Sequence, residues 1–376
     1  MKILLYTTNK ILMHNPTGGI KRFLELTKYM QSNYGADLCC ADDYDDLQIA
    51  GLNAKYHISR DKMDQMPKIF PPEIRIAYAN KNTIKAIKND KYDYVISFDV
   101  PPTVAICLMG IKNIVLMIRK DLIGYYDATH PRQTLTNKIY KNLLLLSEGF
   151  CISKSKAIIT QCKYDSNCMI ERHPHLRKHN AIKYRDQINN VNPSWVANKK
   201  KKEPLNFDGI NICFIGNFND ERKGHDLLLK SASEVTAKRN NVKFHIIGGG
   251  KDLEKYKKQY SNDRIVFYGF CSSPASILAS CDLNIVPSKA DSCPNTIMES
   301  LYVGTPVIGS RAGGIPEILL DEDALFDLSE NSLIERILMY IDNKDLLIEL
   351  AAKQQKRKEE LSFDWGERIS QLILNI

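Results

Sequence analysis

The stretch DLNIVPSKADSCPNTIMESLYVGTPVIGSRAGGIPE, residues 282–317, decides the fold. DLNIVPS (282–288) reads as a short buried strand, and Asp291 falls in the loop that follows it. A helix comes next, with Glu299 expected in its first turn, and TPVIGS (305–310) is a second strand. Strand, helix and strand joined by short loops make a βαβ unit, which requires parallel pairing.

The same alternation runs outward in both directions. MKILLYTT (1–8), YDYVISFD (92–99), NIVLMIR (113–119) and AIITQ (157–161) are strand-like runs in the first half. NICFIGNF (211–218), VKFHIIGGG (242–250) and RIVFYGF (264–270) are their counterparts in the second. Each half opens on a strand, a loop and a helix: Gly18-Gly19 leads into one, and NDERKG (219–224) into HDLLLKSASEV (225–235). The expected class is therefore α/β, with two doubly wound, Rossmann-like domains whose ligands bind at the carboxyl ends of the strands, in a cleft between them. Periodicity breaks at NPSWVANKKKKEPLNFDG (192–209). Boundaries follow: an N-terminal domain over 1–195, a solvated linker over 196–207 and a C-terminal domain over 208–362. FDWGERISQLILNI (363–376) reads as a helix that packs back toward the first domain.

Composition narrows the class. The 376 residues are 44% apolar and 26% charged, which suits a globular chain large enough for two cores. No apolar run reaches the roughly 18 residues of a spanning helix, and the N-terminus lacks a signal-peptide core, so a cytoplasmic protein is expected. Ten cysteines without a C-x-x-C pair read as reduced, mostly buried thiols, Cys162 and Cys168 included. Residues 1–205 carry 32 Lys and Arg against 19 Asp and Glu, whereas residues 206–376 carry 20 against 25. A basic first half suits an anionic partner or simply a solvated Lys-rich surface. No motif favours nucleic acid.

The chemistry-bearing residues lie in post-strand loops. Amides of Asn295, Thr296 and Ile297 at a helix start suit an anion. Asp291 and Glu299 are placed to accept hydrogen bonds from sugar or ribose hydroxyls, although Thr296-x-x-Glu299 equally fits a capping box. Arg222 and Lys223 suit a diphosphate, or are two solvated cations. Asp43-Tyr44-Asp45 reads as a solvated turn rather than a metal motif. His173, His175 and His179 lack the acidic or Cys partners of a metal site. HPRQTLTNKIYKNLLLL (130–146) is a basic amphipathic helix, which rests on an anionic membrane or packs on its own sheet.

The order G-N-F-x-x-x-R-K-G-H-D (216–226), HIIGGGKDL, IVFYGF, CDLNIVPS, D-x7-E and GTPVIGSRAGGIPE resembles the GT4 family of retaining GT-B glycosyltransferases across nearly all of 206–320. The first half resembles it through Gly18-Gly19, IRKDL and IITQCKYDSN. The resemblance implies a donor site in which Lys223 holds the diphosphate and Glu299 the ribose. Asp291 would touch the transferred sugar, and Gly216, Asn217, Phe270, Cys293, Pro294, Asn295 and Thr296 would line the site. Gly18 and Gly19 would let a loop approach the phosphate, and Lys120 with Asp121 would lie on the acceptor side. Lys223, Arg222 and Asp291 would carry the chemistry. Three positions depart from the family's pattern. Asp291 stands for its usual Glu, Asn217 for its usual Arg, and Lys120 for the His that many members have before Asp121.

The implied function is metal-independent, cofactor-free, retaining transfer from a UDP- or GDP-linked sugar to a glycan or lipid-linked acceptor. Bacterial surface polysaccharide synthesis and peripheral contact with an anionic membrane fit this reading. A nucleotide-sugar epimerase and a catalytically silent partner of a synthase complex are the alternatives.

Overall fold

A computed structural model describes residues 1–13, 18–60, 72–130, 132, 134–176, 184–192, 205 and 207–376. Two wholly parallel sheets organise them. The first holds β1 (Ile3–Tyr6), β2 (Asp37–Cys40), β3 (Tyr56–His57), β4 (Tyr94–Phe98), β5 (Ile114–Ile118), β6 (Ser155–Thr160) and β7 (Tyr184–Asp186). Their spatial order is β3-β2-β1-β4-β5-β6-β7. The second holds β8 (Ile210–Ile215), β9 (Val242–Ile247), β10 (Ile265–Gly269), β11 (Leu283–Val286), β12 (Val307–Ser310) and β13 (Leu325–Phe326), ordered β10-β9-β8-β11-β12-β13. Chain direction across each sheet reverses beside its first strand, between β1 and β4 and between β8 and β11. Those reversals are the switch points at which doubly wound sheets bind ligands.

The central strands are near-continuous apolar runs because helices cover both faces of a parallel sheet. IVLMI of β5 and LNIV of β11 are buried at every position. Helix Gly18–Tyr34 turns Phe23, Leu26 and Met30 onto the first sheet. Helix Asn295–Val303 does the same on the second with Ile297, Met298 and Leu301.

The chain forms two compact units. Met1–Ile123, Arg132–Gln187 and Asp364–Ile376 make the first, and Gly124–Pro131 with Ile188–Phe363 the second. Their division at Gln187 precedes residue 195 because the residues after β7 tie to the second unit. The Val191 N–H donates to the Leu361 carbonyl at 2.9 Å, and Asn190 Nδ2 to that of Phe363 at 2.7 Å. Most of the expected linker lies outside the described residues.

Helix Trp365–Leu374 starts on Asp364, whose carboxylate accepts from the Glu367 N–H at 2.9 Å. It packs on helix Gly18–Tyr34 within the first unit. Ser370 Oγ reaches Met30 Sδ at 3.5 Å, and the Arg22 guanidinium lies 5.0 Å from the Trp365 ring. The helix expected over 130–146 instead spans Leu135–Lys154, capped by Thr134 accepting from the Asn137 N–H. No described helix is long and apolar enough to cross a membrane. All ten cysteines are unbonded, with Cys168 and Cys271 half-buried and the rest buried.

Between β8 and β9 the second unit buries a polar pair. His245 hydrogen-bonds Asn211 Oδ1 through Nε2 and Tyr268 Oη through Nδ1, each at 2.9 Å. Burial, with a lesser push from Lys243, lowers the imidazole pKa to about 4. The unfolded chain therefore takes up a proton near pH 6.5 that the folded unit refuses until about pH 4. This contribution to stability is complete above pH 6.5 and is lost as pH falls toward 4. Urea denaturation at pH 7.5 and 4.5 should reveal a loss of about 1–3 kcal/mol. His245→Gln should flatten that slope, and an equal slope in the variant would refute the assignment.

Candidate functional site

The second unit's switch point is built by loops after β8 and β11. Beyond β8 the chain makes one 3₁₀ turn, Glu221–Lys223, begun by Asp220 accepting from the Arg222 N–H. The Asp220 carboxylate also takes Arg222 Nε at 3.0 Å and Nη2 at 2.6 Å. Arg222 then clamps the two loops reciprocally. Its Nη1 donates to the Ala290 carbonyl at 2.9 Å, while its own carbonyl accepts from the Lys289 N–H at 2.7 Å. The guanidinium stands 4.1 Å from the ring centre of Tyr125, in the stretch that groups with this unit.

The clamp sets the next residue. Lys223 Nζ lies 2.6 Å from Asp291 Oδ2, with side chains 24% and 17% exposed, so the pair is reachable from solvent but partly desolvated. Two glycines make this approach possible. Gly224 has φ +74°, and a Cβ there would stand 2.0 Å from the Pro287 carbonyl oxygen. Gly313 has φ +58°, and its Cβ would stand 2.2 Å from that of Asp291, which accepts from the Gly314 N–H at 3.0 Å. Lys289 and Asp226 add an ion pair at 2.9 Å. His225 donates its Nε2 proton to the Asn217 carbonyl at 2.9 Å, and burial lowers its pKa, so it is a neutral strut.

Helix Asn295–Val303 points its N-terminus into the same loop cluster. Pro294 is its N-cap without a side-chain cap, and its first turn carries no acidic residue, so nothing of its own neutralises the helix's positive end. This corrects the reading of Glu299. The capping box does not form, because the helix begins one residue before Thr296, and Glu299 sits in the second turn, half-buried. Cys293 is buried. Gly216 is buried, with its N–H donating to the Ile247 carbonyl. Asn217 is exposed and accepts from the Asn219 N–H at 2.8 Å. Phe270, the first residue after β10, is 71% exposed.

In the first unit the expectations meet a different arrangement. Gly18 and Gly19 are the opening residues of a helix, not a loop. A Cβ on Gly19 would stand 1.7 Å from Arg119 Nη1, so the glycine makes room for that guanidinium. Arg119 pairs with Asp99, which takes the Arg119 N–H on Oδ1 at 3.1 Å. Asp99 occupies the N-cap of helix Val100–Leu108 at φ +63°, yet its side chain turns to Arg119 and makes no cap. Strain of this kind at the end of a central strand marks functional loops. Sequence reading missed both residues. The available signal was the cationic pair Arg119-Lys120 directly after the apolar run NIVLMI.

Asp121 lies 2.7 Å from Arg172, which holds Glu148 through Nε and Nη2 at 3.0 Å each. His173 completes the network at 2.9 Å from Glu148. Burial pushes the Glu148 carboxyl up, but the bonds from His173 and Arg172 outweigh it and leave the pKa below the usual range. His179 lies outside the described residues. Asp43 is the N-cap of helix Tyr44–Ile49. Among the described residues no three His, Cys, Asp or Glu side chains are grouped to hold a metal ion.

Residues 209–343 match the family model described as glycosyl transferases group 1. The chain is 31% identical over 116 residues to N-acetyl-alpha-D-glucosaminyl L-malate synthase of Bacillus anthracis, covering 30% of each. It is 25% identical over 150 residues to the O-antigen biosynthesis glycosyltransferase WclY of Escherichia coli, covering 38% of this chain and 40% of that one. The chain thus spans well under two thirds of these relatives' length. Anabaena Alr3699/HepE in complex with UDP-glucose shares 14% identity at a TM-score of 0.70, over 100% of both chains. Sucrose-phosphate synthase from Thermosynechococcus elongatus shares 16% at 0.72, over 100% of this chain and 98% of that one. The chain has the GT-B fold of these structures and resembles the group 1 glycosyltransferases.

Gly224→Ala should lower stability by about 1–3 kcal/mol and weaken anion binding, since both strain and the Pro287 contact oppose a side chain. Gly304, at φ +84° with nothing within 4 Å of an added Cβ, is the control. Equal losses in the two variants, read from urea midpoints, would mean that the loop contact contributes nothing.

Proposed function

We propose that this protein is a glycosyltransferase that takes a UDP- or GDP-linked sugar and transfers the sugar, with retention, to a hydroxyl of a glycan or lipid-linked acceptor. The observation that carries the proposal is the Lys223–Asp291 pair held 2.6 Å apart at the β8–β11 switch point, beside a helix N-terminus without acidic residues. That O-antigen and malate-linked sugar synthases are among its relatives, and that HepE of like fold holds UDP-glucose, supports this class of donor.

Breaking the glycosidic bond puts charge on the departing diphosphate. The Lys223 ammonium and the first-turn amides of helix Asn295–Val303 would receive it as fixed positive charge, in a partly desolvated site where such charge acts strongly. A diphosphate drawing Lys223 toward itself would release Asp291 to accept from hydroxyls of the transferred sugar. Glu299, one turn into the helix, would serve the ribose. Arg222, with its guanidinium committed to Asp220 and Ala290, acts as the positioning residue. The acceptor hydroxyl attacks from the face the diphosphate leaves, and a diphosphate oxygen takes its proton. No protein nucleophile is then needed, and the fixed cations serve in place of a metal. The setting we assign is bacterial surface polysaccharide synthesis in the cytoplasm, in peripheral contact with an anionic membrane.

Purified protein screened against nucleotide sugars with EDTA present should release one nucleoside diphosphate. Lys223→Ala should slow that release by about 10²–10³-fold with the thermal midpoint nearly unchanged. NMR of the product should give the donor's own anomeric configuration. Undiminished turnover in the variant would overturn the diphosphate assignment, and an inverted product would overturn retention.

A further inference from the structure

The last residues of β4, β5 and β6, namely Phe98, Ile118 and Thr160, line a cavity of about 10 Å³. Arg119, one residue past β5, forms another wall, and Arg22 and Trp365 come from helices Gly18–Tyr34 and Trp365–Leu374. All of these residues belong to the first unit. A space of this size holds one water-sized species and excludes a sugar or a phosphate.

Two donors on these walls have no acceptor. Arg119 Nε and Trp365 Nε1 are both shut off from solvent, and neither meets a hydrogen-bond partner among the described residues. Trp365 is 3% exposed, so bulk water does not serve its indole N–H. A buried N–H left unpaired costs more than a hydrogen bond normally returns, so such groups point to a ligand. Charge decides which. The Arg22 guanidinium lies 5.0 Å from the Trp365 ring and its side chain is 1% exposed, so two guanidiniums and an indole share one water-sized space. Their carboxylate partners, Glu25 and Asp99, stand outside the lining, which among the described residues includes no Asp, Glu or His. A water molecule placed there would have to find acceptors for its own protons. A monoatomic anion brings lone pairs only and is favoured by both cations.

We propose that this cavity binds a single chloride ion, with Arg119 Nε and Trp365 Nε1 donating to it and the Arg22 guanidinium supplying a second positive charge beside it. The ion ties helix Trp365–Leu374 to the residue just past β5, and so stabilises the docking of that helix within the first unit. The site is independent of the transferase reading and holds whatever the donor site takes.

Trp365 is one of two tryptophans, and the other, Trp195, lies outside the described residues. The test uses the full chain carrying Trp195→Phe, with bromide titrated against gluconate at constant ionic strength. Bromide should quench Trp365 saturably at millimolar concentrations, and chloride should reverse the quenching competitively. A collisional quencher does not reach a side chain this buried, and gluconate is too large for the cavity. Replacing gluconate by chloride should raise the thermal midpoint by about 2–5 °C, as an ion bound only by the folded state does. Trp365→Phe keeps an aromatic ring but loses the N–H, and should remove most of that rise. Arg119→Met, made in the Trp195→Phe chain, should weaken bromide binding about tenfold or more. Absent or unsaturable quenching, with equal midpoints in chloride and gluconate, would leave the cavity to water and overturn the proposal. Saturable quenching that chloride does not reverse would overturn it as well. So would a chloride-dependent rise that both variants keep in full, which would place the ion elsewhere on the chain. The bromide titration decides the matter even where Trp365→Phe does not fold.

Discussion

Everything at the second unit's switch point depends on the reciprocal clamp between Arg222 and the Lys289–Ala290 backbone. One side chain and one carbonyl join two loops that are more than sixty residues apart in the chain. The clamp needs Asp220 to orient the guanidinium and Gly224 to allow the loops to touch. Its product is an ammonium and a carboxylate at hydrogen-bond distance in a half-buried setting. Such a pair gains little stability by itself and is easily reorganised by a stronger anion. That is what a binding site requires and what a structural salt bridge would avoid.

The first unit uses the same topology with opposite bookkeeping of charge. Its surplus of Lys and Arg does not translate evenly into a basic surface. Arg22, Arg119 and Arg172 are drawn inward and matched with Glu25, Asp99, and Asp121 with Glu148, respectively. The excess that reaches solvent is mostly lysine, and on helix Leu135–Lys154 it runs beside exposed leucines. Net charge by itself therefore describes this unit poorly. The distinction that matters is between guanidinium groups drawn into buried networks and ammonium groups carried nearer the surface.

The sequence made the central strands plain and the edges obscure. β1, β4, β5, β8, β9 and β11 are apolar runs long enough to be seen, because both of their faces are covered. β2 (DLCC), β3, β7 and β13 are two to four residues long, and β7 (YRD) has only one buried residue, so pattern reading passes over them. At the site, Lys223 and Asp291 were recognisable from their place after strands. Their contact was not, since it arises from glycine φ values and carbonyl positions that no residue spacing encodes. The mistaken capping box at Glu299 has the same origin: Pro294 starts the helix earlier than the side-chain pattern implies. At Gly19 the room made for Arg119 was not legible, because that side chain comes from just beyond a strand a hundred residues later.

The return of Asp364–Ile376 to the first unit orders events during synthesis. On a ribosome the seven-stranded sheet is complete after Asp186, yet the helix that shields Met30 and Arg22 is made only after the whole second unit. For that interval the first unit exists with one helix face bare, while the second can fold as it emerges. Helix Trp365–Leu374 thus acts as a latch that closes only after the second unit has been made. Until it closes, a nascent chain displays a sticky surface that a chaperone can read as a sign of unfinished work.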